Sequence, residues 1–96
     1  MYKLSEAAAK DIEQLLDQSI LDFGPLQTET YHYDLTNCLE LLAENAEMGT
    51  SAEDLRAGYR RFPHESHVIF YTRRDEHILI VRILHKRMDV SQNLLK

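Results

Sequence analysis

Cysteine, proline, glycine and tryptophan are all scarce in this sequence of 96 residues. It holds one cysteine, two prolines, three glycines and no tryptophan. The single Cys38 cannot form an internal disulfide, so we expect a reduced, buried thiol and a cytoplasmic protein. There is no low-complexity or linker segment, and the apolar content of 44% is that of an ordinary globular protein. We therefore predict a single domain over residues 1–96.

Long apolar segments are absent as well. The most apolar run, Ile78–Val81, is far too short to span a membrane. Met1, Tyr2 and Lys3 are followed by no apolar stretch of the kind that begins a secreted protein, so we expect no signal peptide. The sequence thus predicts a protein without a membrane partner.

Several catalytic and metal-binding motifs are also missing. The sequence has neither a glycine-rich phosphate loop nor a G-x-S-x-G elbow, and nothing in it pairs a nucleophile with a base. His64 and His67 stand three residues apart before a predicted strand, whereas the H-E-x-x-H metal motif needs two histidines four apart on a helix. We predict no metal, no cofactor and no catalytic residue.

Charge is distributed unevenly along the chain. The net charge of −5 divides into −10 over residues 1–55, with two basic and twelve acidic residues, and +5 over residues 56–96. This division is expected where one end or face of a protein binds an acidic partner, although two solvated faces of opposite charge would also produce it. Because phosphate affinity depends on the number of cations, the acidic whole predicts no direct sequence-specific binding of nucleic acid.

Two amphipathic helices are predicted in the acidic half, forming a hairpin over about residues 5–47. Ser5 is a suitable N-cap, and Gly24-Pro25 ends the first helix. One face of the first helix is marked by residues that recur at spacings of three and four and are apolar except for Ser19: Ala8, Ile12, Leu15, Leu16, Ser19, Ile20 and Phe23. Those of the second helix have the same period: Tyr31, Leu35, Cys38, Leu39, Leu42 and Ala46. Because the connection is so short, the helices should be antiparallel.

The second half changes to the period of β-strands and predicts a sheet over about residues 58–90. The predicted strands are residues 2–4, 59–62, 67–73 and 78–84. Pro63 should end the second of them, Thr50–Gly58 should be a polar loop, and residues 91–96 a short tail. Helices followed by strands indicate an α+β fold, in which the hairpin packs on a small, mostly antiparallel sheet.

Basic residues of the second half are the remaining functional signal. They come from the loop, the first long strand and the end of the last strand: Arg56, Arg60, Arg61, Arg82, His85, Lys86 and Arg87. If these strands are neighbours, the side chains could converge on one face. Arg82 lies within the apolar run Ile80–Leu84, so it must leave the core or be paired. It either lies on a solvated edge, paired with Asp89, or binds an anion or a protein partner with its planar five-donor group.

Several motifs of the second half resemble the ParE branch of the RelE/ParE toxin superfamily. The motifs are Gly58-Tyr59-Arg60-Arg61-Phe62-Pro63, then His67-Val68-Ile69-Phe70-Tyr71, then Ile80-Val81-Arg82-Ile83-Leu84-His85 with Arg87 and Asp89-Val90. Leu4-Ser5, the alanine-rich helix start and the helical hairpin are also similar to the beginning of that family. The resemblance covers nearly the whole chain and implies a helical hairpin packed on a curved antiparallel sheet.

The resemblance also implies one half of a type II toxin–antitoxin pair. A cognate antitoxin would wrap the toxin with a segment that folds on binding, and the two would form a hetero-oligomer. ParE-type members poison DNA gyrase, whereas their RelE-type relatives cut messenger RNA on the ribosome. By this resemblance, the seven basic residues named above are candidates for contact with the target or the antitoxin.

Individual residues favour the non-enzymatic branch. The ribonuclease branch commonly has a tyrosine close behind its last basic motif, and here no tyrosine follows Tyr71. The acidic pair Glu53-Asp54 occupies a loop where a ribonuclease would profit from lysines to stabilise phosphate charge. Arg61, Arg82 and His85 remain, so a RelE-like ribosome-dependent endoribonuclease is the alternative. A third possibility is a protein that has kept only its binding to an antitoxin.

Overall fold

The chain forms two helices and a five-stranded sheet. The computed structural model describes residues 1–88 and Val90. Its elements in chain order are β1 (Tyr2–Leu4), α1 (Glu6–Phe23), α2 (Pro25–Glu44), a 3-10 turn (Ala46–Met48), β2 (Thr50–Ser51), β3 (Tyr59–His64), β4 (His67–Arg73) and β5 (Ile78–His85). Asp89 and the predicted tail at residues 91–96 lie outside the described residues.

Ser5 joins the start of α1 to the sheet. Its hydroxyl oxygen accepts a hydrogen bond from the Ala8 amide at 3.0 Å, which confirms the predicted N-cap. The same hydroxyl donates to the carbonyl oxygen of Val81 at 2.7 Å, and the Ser5 amide donates to that of Ile80 at 3.0 Å. α1 therefore begins where β1 stops pairing with β5.

Gly24 connects the two helices without any further loop. Its φ of +85° suits glycine, and its amide ends α1 by donating to the Ile20 carbonyl at 2.9 Å. The predicted hairpin and its boundary are confirmed. α2 starts at Pro25, well before Tyr31, the first residue of its predicted apolar stripe. The stripe starts late because Leu26, the first apolar side chain after Pro25, is 81% exposed.

The strand order in the sheet is β1-β5-β4-β3-β2. β1 is parallel to β5 and the other pairs are antiparallel, so the sheet is mostly antiparallel, as predicted. Two predicted boundaries are wrong. Thr50–Ser51 was expected in a loop and forms β2 beside β3. β3 continues through Pro63 to His64, which is tolerated because β2 pairs only with the earlier part of β3 and leaves this part at the edge.

Two apolar clusters pack against the sheet. The larger one lies between the sheet and the helices and consists of Ala8, Leu35, Cys38, Leu39, Leu42, Ile69, Tyr71, Ile78, Ile80 and Ile83. The smaller one consists of Ala52, Phe70 and Leu84, with Leu55, Tyr59, Val68, Val81 and Val90 packed against them. Alternation along β4 separates the clusters, because Ile69 and Tyr71 face the helices and Phe70 faces the other way.

Cys38 is buried in the larger cluster, as predicted. Burial raises the pKa of its thiol, which keeps it protonated and unreactive. The helices of the described residues include none that is both long and apolar enough to cross a bilayer.

Candidate target- and antitoxin-binding surface

The structure divides the seven predicted binding residues into two groups. Arg60, Arg61 and Arg82 make side-chain hydrogen bonds within the fold. Arg56, Lys86 and Arg87 are exposed, and His85 is partly buried at the end of β5. The two groups differ in what a partner could reach.

Arg82 is bound to the first helix. Its Nε and a terminal nitrogen donate to the two carboxylate oxygens of Asp11 at 2.7 and 2.9 Å, and the Ile83 amide donates to the same carboxylate at 3.0 Å. The Arg82 and Asp11 side chains are 19% and 11% exposed. Hydrogen bonding to Asp11 raises the pKa of the guanidinium, while burial acts against it. The partner suggested by the sequence, Asp89, lies outside the described residues; within them the carboxylate is that of Asp11.

Arg60 binds the chain that leaves α2. Its Nε donates to the carbonyl oxygen of Ala46 at 3.1 Å, and a terminal nitrogen donates to that of Gly49 at 2.5 Å. The hydroxyl of the buried Tyr71 reaches the same segment, donating to the Ala46 carbonyl at 2.5 Å and accepting from the Gly49 amide at 3.0 Å. These two side chains thus bind backbone groups of the 3-10 turn and of Gly49 directly after it.

Arg61 is held by a weaker ion pair. A terminal nitrogen lies 2.6 Å from a carboxylate oxygen of Asp54, with the side chains 35% and 65% exposed. Exposed pairs of this kind contribute little to stability and are easily exchanged for another partner. Arg61 also lies in register with Phe70 on β4, which in turn lies opposite Arg82 on β5, so β4 separates these two arginines.

The exposed cations do not converge on one patch. Arg56 lies beside Tyr59, whose amide donates to the Arg56 carbonyl at 3.1 Å, at the end of the sheet where β4 finishes. Lys86 and Arg87 follow β5 at the opposite end, where the Lys86 amide donates to the Ser66 carbonyl at 2.9 Å. The sheet therefore carries exposed positive charge at both ends.

A further basic pair was not singled out from the sequence. Arg73 and Arg74 are exposed at the β4–β5 turn, at the same end of the sheet as Arg56. Asp75 and Glu76 follow them directly in the chain. The mixed charge of this turn hides the pair from a search for basic stretches.

An aromatic and histidine cluster was also missed. The rings of His67 and His85 meet edge to face with centroids 5.3 Å apart, and the rings of Tyr31 and His64 are 5.7 Å apart. The Tyr31 hydroxyl lies 3.4 Å from Nδ1 of His67. Burial, and next the charge of Glu65, raises the pKa of Tyr31 to about 12, and burial lowers the pKa of His67. At neutral pH both groups are uncharged.

A metal site is not formed by these histidines. Within residues 1–88 and Val90, no group of three or more histidine, cysteine, aspartate or glutamate side chains is placed to hold a metal ion. The cluster could have been found from the sequence only by aligning β3, β4 and β5, because their register sets His64 opposite His67 and His67 opposite His85.

Comparison with known proteins finds relatives that match nearly the whole chain. Residues 2–90 match the family described as ParE toxin of type II toxin-antitoxin system, parDE. The relative Toxin ParE1 of Mycobacterium tuberculosis (strain ATCC 25618 / H37Rv) is 36% identical over 94 residues, which cover 97% of this chain and 96% of the relative. Toxin ParE1 of Caulobacter vibrioides is 38% identical over 93 residues, with the same shares covered.

A solved structure shares the fold. A chain of the structure titled "Chromosomal ParDE TA system from P. aeruginosa" superposes with a TM-score of 0.75 and 21% identity, covering 88% of this chain and 92% of that one. Together with the sequence matches over nearly the full length, this defines the class of protein: a toxin of the type II toxin–antitoxin systems. Within that class, the chain belongs to the ParE toxin family. The resemblance seen in the sequence motifs is confirmed.

Proposed function

We propose that this protein is a cytoplasmic toxin that inhibits DNA gyrase and is held inactive in a hetero-oligomer with its cognate antitoxin. The observation that carries the proposal is the match to the ParE toxin family over residues 2–90, which includes the whole sheet and the basic stretch after it. The relatives named Toxin ParE1 and the fold shared with a chain of a ParDE system support it.

The arrangement of cations supports a mechanism without catalysis. Phosphate cleavage needs unengaged cations close to an acid and a base. Here Arg82 is bound by Asp11 and Arg61 by Asp54, and the exposed Lys86 and Arg87 do not line the groove that holds the two imidazoles. The groove beside the His67–His85 pair is lined by carboxylates and by no lysine or arginine of the described residues. A RelE-like endoribonuclease stays the alternative, because the same groove does hold two imidazoles.

The exposed cations are the proposed contacts with the target. Lys86 and Arg87 extend from a turn held by two hydrogen bonds: the Met88 amide donates to the His85 carbonyl at 3.0 Å, and the Arg87 amide donates to Nδ1 of the His85 ring at 3.1 Å. A fixed turn presents two charged side chains with little loss of backbone freedom on binding. Arg56, at the other end of the sheet, and Arg61, after release of Asp54, would extend the contact.

The first experiment combines the purified protein with gyrase, supercoiled and relaxed plasmid, and ATP. We expect cleaved gyrase–DNA complexes to accumulate or supercoiling to stop, and we expect the purified antitoxin to reverse the effect. A parallel incubation with translating ribosomes tests the alternative. Cut message with gyrase unaffected would replace the proposal by the ribonuclease, and no effect in either assay would leave a protein that only binds an antitoxin.

A further inference from the structure

A groove of about 460 Å³ opens where the tip of the helical hairpin meets the β3–β4 turn. We call it the tip groove. α1 supplies Asp22 and Phe23 to its lining, α2 supplies Tyr31, and the turn and its strand supply Glu65 and His67. Helices and sheet thus form it together, and its lining includes neither Arg56 nor Arg61 nor Arg82.

The tip groove is negatively charged. Asp22 and Glu65 are its two carboxylates, and its described lining contains neither lysine nor arginine. The contact that Asp22 makes is neutral, a hydrogen bond of 3.0 Å from the Gln18 amide group. Burial is the main cause of the raised pKa of Tyr31 inside the groove, and the negative charge of Glu65 raises that pKa further. A cation is therefore the ligand that fits.

One apolar side chain of the lining is largely exposed. Gly24 joins the helices directly and leaves Phe23 little chain to pack against, so Phe23 is 62% exposed. Ile20, Leu21 and Leu26 are also exposed near Gly24 but do not line the groove. Burial of Phe23 against an apolar group of another protein would be favourable. An arginine or lysine could lay its apolar stem along Leu15 and Tyr31 and place its charged group at the carboxylates.

We infer that the tip groove binds a segment of a partner protein that carries an arginine or lysine next to an apolar side chain, the basic group entering between Asp22 and Glu65 and the apolar one covering Phe23. The inference rests on the proposed function only for the identity of the partner, the antitoxin. A second copy of this chain fits poorly. A two-fold contact through the hairpin would bring together two copies of a half with a net charge of −10.

The test uses one small probe and its neutral counterpart. Amide signals of the isotope-labelled protein are followed by NMR during titration with N-acetyl-arginine amide, and separately with N-acetyl-citrulline amide, which has the same shape without the charge. We expect saturable shifts in the millimolar range at Asp22, Glu65, Ser66 and His67 with the arginine compound alone.

Charge variants identify the site. Asp22→Asn with Glu65→Gln should weaken the arginine affinity about tenfold, because two charge-assisted hydrogen bonds are lost. Glu13→Gln with Asp17→Asn removes the same charge from the exposed part of α1 outside the groove and should leave the affinity within about twofold.

Three outcomes would overturn the inference: equal shifts with both compounds, no saturable shift with arginine up to its solubility limit, or equal weakening by both pairs of substitutions. Shifts of the hairpin tip that depend on protein concentration alone would assign the surface to a second copy and overturn it as well. None of these results bears on gyrase inhibition, so failure here and failure of the proposed function can be told apart.

Discussion

The middle of β5 and the turn that follows it belong to one basic stretch of sequence, yet the fold uses their charges differently. Arg82 lies on the strand, and its guanidinium is bound by both oxygens of Asp11. Lys86 and Arg87 lie just past the strand end and are exposed. The guanidinium within the strand is thus neutralised by a carboxylate of the fold, whereas the two cations beyond the strand end remain accessible to a partner.

The edge of the sheet explains the difference. β1 pairs with β5 only as far as Ile80, so among the described residues no strand lies beside the following residues of β5 on that side. α1 runs along this open edge instead. Asp11 accepts from the Ile83 amide and holds Arg82, so one carboxylate closes the edge and neutralises the nearby cation.

The first prediction concerns Gly49, in the segment whose carbonyl groups are bound by the interior cation Arg60. Gly49→Ala should destabilise the protein by about 3 kcal/mol, the largest effect expected here, because an added Cβ would lie 2.7 Å from the Arg61 carbonyl oxygen and would clash with the Tyr71 hydroxyl. Urea unfolding measures it. Gly58→Ala is the control: its surroundings are open, so it should cost only about 1 kcal/mol for the positive φ. Equal losses would contradict the packing described for Tyr71.

Arg82→Met should destabilise by about 2 kcal/mol, since it leaves the partly buried Asp11 carboxylate without its cation. Lys86→Met, a few residues on and exposed, should stay within about 0.5 kcal/mol of the natural protein. Thermal and urea unfolding of both variants give the comparison. If the two variants unfold alike, the distinction between interior and exposed cations fails.

Arg60→Met should cost about 1 to 1.5 kcal/mol, because the carbonyls of Ala46 and Gly49 lose a charged donor but can still reach water. Hydrogen exchange should show faster opening of the segment around Gly49 with little change in α1. A variant as stable as the natural protein would contradict a structural role for Arg60 and would leave it a candidate for contact with a partner.

The smallest effect expected is a dependence of stability on pH. Burial lowers the pKa of His67, and the charges of His85 and His64 lower it further, while Asp11 acts in the opposite direction. The unfolded chain therefore binds more protons, and stability that is complete at neutral pH should fall as the pH drops through 6.5. His67→Gln should flatten this slope, and the exposed His32→Gln should not. Unfolding at about pH 7.5 and about pH 5.5 measures it; identical slopes in the two variants would rule out His67 as the source.

Local signals in the sequence predicted most of the fold. Gly24-Pro25 marks the turn between helices, and the alternation of residues 67–73 marks a strand, because both depend on neighbours in the chain. β2 was missed since a strand of two residues carries no period of its own and exists only through its pairing with β3. The apolar stripe of α2 begins only at Tyr31, because Leu26 near the start of the helix faces solvent.

The candidate site was less accessible to such reasoning. The residue types and positions of its cations were found, but which of them the fold occupies depends on contacts between distant parts of the chain. Arg82 meets Asp11 from the far end of the sequence, and Arg60 meets carbonyls that any residue could supply. The tip groove is likewise lined by residues of the helical hairpin and of the β3–β4 turn, which are far apart in the chain, so no local sequence motif predicts it.

The most direct test of the account compares two double variants in the gyrase assay. Lys86→Ala with Arg87→Ala removes the exposed pair after β5, and Arg73→Ala with Arg74→Ala removes an equal charge from the other end of the sheet. Both should unfold within about 0.5 kcal/mol of the natural protein. We predict that the first pair abolishes accumulation of cleaved gyrase–DNA complexes and that the second preserves it. Full activity of the Lys86→Ala/Arg87→Ala protein would contradict the claim that the charges beyond β5 contact the target.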